Sequence, residues 1–407
     1  MEIQRERPLR ILAADDSAVM RGILRELFVM RDEDRLSDLP PMELCGLARD
    51  GVECLEAVKL LRPDMLVLDL EMPRMNGLEV LERLRRENPD LPVIMCSAYT
   101  ERGARSTLEA LACGASDYVM KPYEQRDFTA ALVSLSQQLL PRIAALAREM
   151  SPREEGAAPV VSGGGEQRSR EAYVQFQSLV EVVVIGLSTG GPSALEQLLP
   201  QLPADFPVPV LIVQHMPKVF TSALAERLDK CCALHVEQAY DSAPLRAGTV
   251  WLAPGGSHME VALRAVMSSD GERSGRVREG RVRLHQQELL NHCRPSVDYL
   301  FHSAARMYGA GTLALVMTGM GADGLNGARA VHERGGVVLA QDEATSAVWG
   351  MPGRVTEAGI ASATLPLSAI ATALRRRVDA GRAVKPELVR EGTVVAASRV
   401  EVMHGLL

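Results

Sequence analysis

Residues 181–198 read EVVVIGLSTGGPSALEQL, and the second half of the chain is organised around them. Val182, Val183, Val184, Ile185 and Leu187 form an apolar, β-branched run of the kind that makes a strand buried on both faces. The run enters a Gly-Ser-Thr-Gly-Gly turn, and a helical pattern begins near Pro192, a residue suited to the first helical turn. Gly186, Ser188 and Gly190 spell the G-x-S-x-G of a nucleophile elbow, in which the glycines let the backbone bend and leave the serine oxygen exposed at the strand end. Backbone N–H groups at the helix start are placed to hold an oxyanion. A phosphate-cradling or purely structural glycine turn has the same outline. Only partner residues separate the two readings.

Outward from this turn, strands are predicted at Val182–Leu187, Val210–Gln214, Thr249–Leu252, Thr312–Met317 and Val337–Gln341, with helices between them, so a second α/β sheet is expected. The piece His258–Gln287 has the look of a hairpin, with turns at Asp270-Gly271 and Glu279-Gly280. A serine nucleophile needs a base, and the base needs an orienting group. His215 follows the apolar strand VLIVQ, and His258 follows APGGS at another strand end as a second candidate. His235, His285 and His332 stand in polar surroundings and read as surface residues. His292 and His302 flank a helix and suit packing or substrate contact. For the acid, Asp323 lies in LALVMTGMGADGLNG, where it serves equally well as N-cap of a helix beginning near Leu325. Ser188, His215 and Asp323 each follow a strand and converge more naturally than other triples. Their chain order, Ser…His…Asp, disfavours the α/β-hydrolase superfamily.

The first third alternates five strands (Arg10–Ala14, Glu43–Ala48, Met65–Asp69, Val93–Ser97, Asp117–Met120) with five helical patterns (Ser17–Met30, Gly51–Leu61, Gly77–Glu87, Arg102–Ala112, Asp127–Leu139). That is a parallel, doubly wound sheet, whose sites lie beyond the carboxyl ends of the strands. Those ends carry Asp15 and Asp16, then Asp69, Ser97 and Lys121. Three converging carboxylates repel unless a hard divalent cation such as Mg²⁺ sits among them. With a lysine and a hydroxyl to meet phosphoryl oxygens, Asp69 becomes a candidate nucleophile forming an acyl phosphate.

At 407 residues two domains are expected, and a net charge of −7 argues against nucleic acid as the main partner. No signal peptide is read at the start, and no apolar run is read as long enough to span a bilayer. Seven scattered cysteines without a C-x-x-C pair indicate neither zinc nor a disulfide framework, so a cytoplasmic protein is expected. The domain reading is 8–140 for the first unit, 141–179 for a Gly/Pro/Ser-rich linker, 180–380 for the second unit and 381–407 for an extension in which TVVAASRVEVM suggests an extra strand. The stretch IAALAREM extends the last helix of the first unit.

On AADDS, LVLDLEMPRMNG, IMCSAYT and DYVMKP, residues 8–140 resemble a two-component receiver domain. The resemblance implies Asp69 as phosphoacceptor, Asp15, Asp16 and the backbone carbonyl of Glu71 around Mg²⁺, Ser97 and Lys121 reading the phosphoryl group, and Tyr118 as aromatic switch. The loop Arg31–Met42 is longer and more acidic than receivers usually carry. VVVIGLSTGGPSALEQLL, VLIVQHMPKVFTSALAERL, WLAPGGSHM, CRPSVDYLFHSAA, VMTGMGADGLNGA and AQDEATSAVWGMP resemble the chemotaxis response-regulator protein-glutamate methylesterases, the CheB family. Leu187 departs from the alanine usual before the serine.

By that resemblance Ser188 attacks a glutamate methyl ester of a methyl-accepting chemotaxis receptor, His215 is the base and Asp323 orients it. The Thr189 region and the Met320 N–H hold the oxyanion. Glutamine deamidation by the same acyl chemistry is implied too, as are a histidine kinase as phosphodonor and no cofactor for the esterase. The unphosphorylated receiver is expected to pack over the Ser188 cleft.

Overall fold

The computed structural model describes residues 7–29, 39–122, 127–150, 178–267, 276–380 and 382. The expected 31–42 loop is therefore described only from residue 39, and the linker, the Asp270-Gly271 turn and the suggested strand in the tail lie outside the described residues.

Short, largely apolar runs become the strands of the first sheet: β1 (Leu9–Ala14), β2 (Met42–Ala48), β3 (Met65–Asp69), β4 (Val93–Ser97) and β5 (Asp117–Met120). They pair in parallel in the order β2-β1-β3-β4-β5. Strand order reverses direction at β1, so the carboxyl ends of β1 and β3 form the crevice where such sheets bind ligands. The helices are α1 (Ala18–Val29), α2 (Gly51–Leu61), α3 (Gly77–Glu87), α4 (Glu101–Ala112) and α5 (Phe128–Met150). Side-chain caps start four of them: Asp50 on α2, a capping box of Asn76 with Glu79 on α3, Thr100 on α4 and Asp127 on α5.

Helix α5 runs on through residue 140 to Met150, carrying Pro141 inside it. By length and composition it is also apolar enough to cross a bilayer, contrary to the expectation from the sequence. Part of its apolar face packs into the core of the first unit, where Leu135, Leu139 and Ile143 are fully buried beside Ile23 and Leu24 of α1.

The second sheet has seven parallel strands in the order β14-β13-β12-β6-β7-β9-β8. β6 (Val182–Leu187) is central, flanked by β7 (Val210–Gln214) and β12 (Thr312–Val316). β9 (Thr249–Leu252) and β13 (Val337–Gln341) also match expectation. The two edge strands, β8 (His235–Gln238) and β14 (Ala363–Leu365), were not read from the sequence. They are short, and β8 alternates exposed and buried residues, so neither carries the unbroken apolar run of a central strand. Helices α6 (Gly191–Leu198), α7 (Lys218–Cys231), α8 (Val297–Tyr308), α9 (Leu325–Glu333), α10 (Met351–Glu357) and α11 (Leu367–Ala380) cover the faces.

Residues His258–Met267 (β10) and Arg276–His285 (β11) form a separate antiparallel ribbon. Glu279-Gly280 is inside β11, not a turn. Gly280 pairs with Leu263, and a Cβ there would meet the Tyr308 hydroxyl at 2.3 Å, so close packing explains the glycine.

One apolar cluster runs through both units. α4 lies against α6 and α7, placing Leu108 and Leu111 in the same cluster as Ala194 and Phe220.

Candidate active site

The register of the second sheet brings the sequence candidates to one edge. Leu187 of β6 is level with Gln214 of β7, so Ser188 and His215 are the first residues past the ends of adjacent strands. The His215 N–H donates to the Leu187 carbonyl and the Ser188 N–H to the Thr318 carbonyl, fixing the turn to both neighbours. Gln214 Nε2 donates to the Ser188 carbonyl at 2.8 Å. Gly190 adopts φ 77° before α6, where a side chain would be strained and would strike Ala347. Gly319, after β12, approaches so closely that a Cβ would lie 2.9 Å from Ser188 Cβ and 3.0 Å from its nitrogen. Met320 follows it, half exposed, and among the described residues its N–H has no hydrogen-bond acceptor.

His215 Nε2 stands 2.8 Å from Asp323 Oδ2. Asp323 is almost wholly buried and is not an N-cap, because Gly324 occupies that position at φ 93°. Its oxygens accept instead from the site: Oδ1 from Ser296 Oγ and Asn291 Nδ2, both at 2.7 Å, and Oδ2 from the Val297 N–H at 2.6 Å. Burial would raise the Asp323 pKa, but the hydrogen bonds from His215, Ser296 and Val297 hold it below the ordinary carboxylate value. For His215, burial acts to lower the pKa and is outweighed by the hydrogen bonds to Asp323 and Cys293, which hold the imidazole up at about 10.

With Nε2 committed to a carboxylate, Nδ1 is the nitrogen free to take a proton. Cys293 Sγ lies 3.6 Å from it. No hydrogen bond joins Ser188 Oγ to His215 among the described residues. The structure thus joins His215 to Asp323 and sets Ser188 alongside, with a thiol at the working nitrogen.

His258, the second candidate base, is fully buried with both nitrogens used: Nε2 at 3.0 Å from the Glu288 carbonyl, and Nδ1 accepting from the Ser296 N–H at 3.2 Å. It supports Ser296. His285 is largely buried beside His258 and Tyr299, not a surface residue, because β11 carries it under the ribbon. His235, His292, His302 and His332 are exposed.

In the first sheet, Lys121 Nζ bridges Asp69 Oδ1 at 2.8 Å and Asp15 Oδ2 at 2.9 Å. Asp15 and Asp69 are buried and Asp16 exposed, and one oxygen from each lies within 4.8 Å of the others. Asp69 Oδ2 is buried without a hydrogen-bond partner among the described residues. Burial and then repulsion from Asp15 raise the Asp69 pKa to about 6 against the pull of Lys121. An orphaned carboxylate oxygen beside two further carboxylates fits a hard divalent cation. The Glu71 N–H leans on Asp69 Oδ1 at 3.4 Å, and its side chain is exposed. Ser97 is fully buried, accepting from Thr107 Oγ1 at 2.7 Å.

β5 links the two sites. Tyr118 stacks on Phe220 of α7, with centroids 4.7 Å apart and planes 10° from parallel, and burial pushes its hydroxyl pKa up. Asp117 Oδ2 accepts from Thr189 Oγ1 at 2.8 Å and pairs with Arg142 of α5 at 3.0 Å. The sequence reading assigns no role to Asp117, Arg142, Phe220, Asn291, Ser296 or Cys293, because each acts through contacts that only the folded chain makes.

A model of the CheB methylesterase family matches residues 183–374, and a model of the response regulator receiver domain matches residues 11–133. A protein-glutamate methylesterase/protein-glutamine glutaminase of Trichodesmium erythraeum is 41% identical over 374 residues, covering 91% of this chain and 99% of the relative. One from a Nocardioides species is 41% identical over 395 residues, covering 95% and 99%. The crystal structure of the Thermotoga maritima CheB methylesterase catalytic domain is 39% identical, covering 48% of this chain and 98% of that one, with a TM-score of 0.44.

Proposed function

The chain belongs to the family of chemotaxis protein-glutamate methylesterase/protein-glutamine glutaminases, with a receiver ahead of a CheB methylesterase domain, and we propose that Ser188, His215 and Asp323 carry its hydrolysis. The observation that carries this reading is the 2.8 Å contact of His215 with Asp323 at the strand end beside Ser188. Ser188 Oγ attacks the carbonyl carbon of a receptor glutamate methyl ester while His215 Nδ1 takes its proton. Asp323 holds the ring and the charge it gains. The Met320 N–H and the Thr189 region receive the oxyanion. His215 then returns the proton to the departing methoxide, and methanol leaves. Water, deprotonated in turn by His215, releases the carboxylate and restores Ser188. With a glutamine side chain the same steps expel ammonia.

The receiver reading gives Asp69 the phosphoryl group of a chemotaxis histidine kinase, with Ser97 and Lys121 reading it. Asp15, Asp16, Asp69 and the Glu71 carbonyl would hold Mg²⁺, which would supply charge neutralisation for the transfer. Lys121, just past one end of β5, answers to Asp69, while Asp117 at the other end holds Thr189. Phosphorylation, which adds roughly two negative charges, shifts that strand and loosens the seam. The seven free cysteines suit a reducing cytoplasm, where receptor methylation sites and kinase are met.

The test is methanol release from methylated receptor fragments by wild type and Ser188→Ala, each with and without a small phosphodonor and Mg²⁺. Release that requires Ser188 and rises with the phosphodonor supports both halves. Release that ignores Ser188 sinks the mechanism, and release that ignores the phosphodonor sinks the switch.

A further inference from the structure

Asp323 has a charged neighbour that the mechanism does not use. Asp298, in α8, is 1% exposed and accepts from the Gly327 N–H at 2.7 Å. Burial raises its pKa, the Gly327 hydrogen bond opposes this, and the Asp323 charge raises it further, so the two carboxylates repel. One nitrogen touches both. Asn291 Nδ2 donates to Asp323 Oδ1 at 2.7 Å and to Asp298 Oδ2 at 3.0 Å. A primary amide nitrogen has two hydrogens and no charge, so it can serve one carboxylate with each.

The backbone is bent to deliver that amide. Asn291 sits at φ 54° and His292 at φ 61°, two consecutive non-glycine residues in the left-handed region, closed into a turn by the bridge between Leu290 and Cys293. Asparagine tolerates this conformation better than most residues.

We propose that Asn291 is a positioning residue for the hydrolytic reaction: its amide anchors Asp298 and Asp323 against their mutual repulsion and so keeps Asp323 Oδ2 on His215 Nε2. The inference rests on the assignment of His215 as base. Among the described residues, the charged or titratable groups facing His215 and Asp323 are Cys293 on His215, Asp298 and His258 beside Asp323, and His302 near Asp298.

The experiment uses the full-length protein with phosphodonor and Mg²⁺, comparing wild type, Asn291→Ala, Asp298→Asn and the double variant. Methyl-ester hydrolysis is measured together with the His215 imidazole titration by nuclear magnetic resonance. Asn291→Ala is expected to lower kcat on the order of tenfold with little change in KM, as loss of a hydrogen bond to a charged group does. The His215 titration point falls towards the ordinary value, because Asp323 swings away from the ring.

In the double variant both readouts recover most of the way, since one charge is gone and the residue 298 amide can donate to Asp323 itself. A role in folding alone would not be rescued by removing that charge. Asp298→Asn by itself, which keeps the oxygen that accepts from Gly327, shows whether the site tolerates the change. An unchanged His215 titration in Asn291→Ala, or a defect equally large in the Asp298→Asn background, overturns the proposal. Full activity of Ser188→Ala would sink the serine mechanism, while the His215 titration would still decide on Asn291.

Discussion

Thr189 Oγ1 and Asp117 Oδ2 are 2.8 Å apart, so the residue after Ser188 donates a hydrogen bond to a carboxylate of the receiver. While it does so, that hydroxyl is unavailable to a developing oxyanion. On the proposed mechanism this contact would let the receiver act on the chemistry of the turn itself. Asp117→Ala should raise hydrolysis by the unphosphorylated protein by roughly tenfold, the worth of a hydrogen bond to a charged group. The rise should extend to a small methyl ester that reaches the cleft freely. A rise confined to receptor fragments would make the contact a plain steric cover. Thermal melting of the variant checks that Arg142, left without Asp117, has not loosened the fold.

The rim of the seam should matter less. Arg105 Nη2 and Glu226 Oε2 are 3.2 Å apart with both side chains more than half exposed. Exposed pairs contribute about 0–1 kcal/mol and are screened by salt. Arg105→Glu is expected to raise basal hydrolysis only a few-fold at low ionic strength, with the effect fading in salt. Combining it with Glu226→Arg should restore wild-type control. A large effect that persists at high salt would show the seam is held electrostatically.

Removing a partner of His215 should move the pH profile in a definite direction. Its imidazole stands at about 10 because hydrogen bonds to Asp323 and Cys293 outweigh burial. The proton-accepting form therefore grows as pH rises, and kcat/KM should rise with it. Asp323→Asn and Cys293→Ala each remove a contribution that raises this pKa, so the rising limb should shift to lower pH in both. They part in the plateau: Asp323→Asn loses kcat by orders of magnitude through misorientation, whereas Cys293→Ala stays within a few-fold. A limb that stays put in both variants would take His215 out of the base role.

Gly319→Ala should separate activity from stability. The added Cβ would lie 2.9 Å from Ser188 Cβ and 2.5 Å from the Met351 sulfur, which is flexible enough to yield, while the Ser188 turn is pinned by backbone hydrogen bonds. Hydrolysis is expected to fall at least tenfold, with a loss of stability of about 1–3 kcal/mol from overpacking. Kinetics beside a denaturation curve checks it. Unchanged turnover would mean the turn accommodates the methyl group without moving Ser188.

Composition, spacing and strand punctuation determined much about this protein. Most of the central strands are apolar runs that give way to a polar residue, so the residues at the strand ends could be read directly: Asp15, Asp69, Ser97 and Lys121 in one sheet, Ser188 and His215 in the other. Parallel sheets gather those ends at one edge, which is why a one-dimensional reading sufficed. The edge strands His235–Gln238 and Ala363–Leu365 escaped it, being short and half solvated.

Tertiary structure alone decided which atoms meet. Asp323 could have capped a helix, but Gly324 takes the cap and frees the carboxylate for His215. Asn291 reaches two acids through a backbone bend that no local pattern announces. Asp117 meets Thr189 across 72 positions of chain because β5 and α4 dock on α6 and α7 of the second unit. Such contacts depend on the register of packed surfaces, and hydrophobic periodicity records which face is buried without recording what it is buried against.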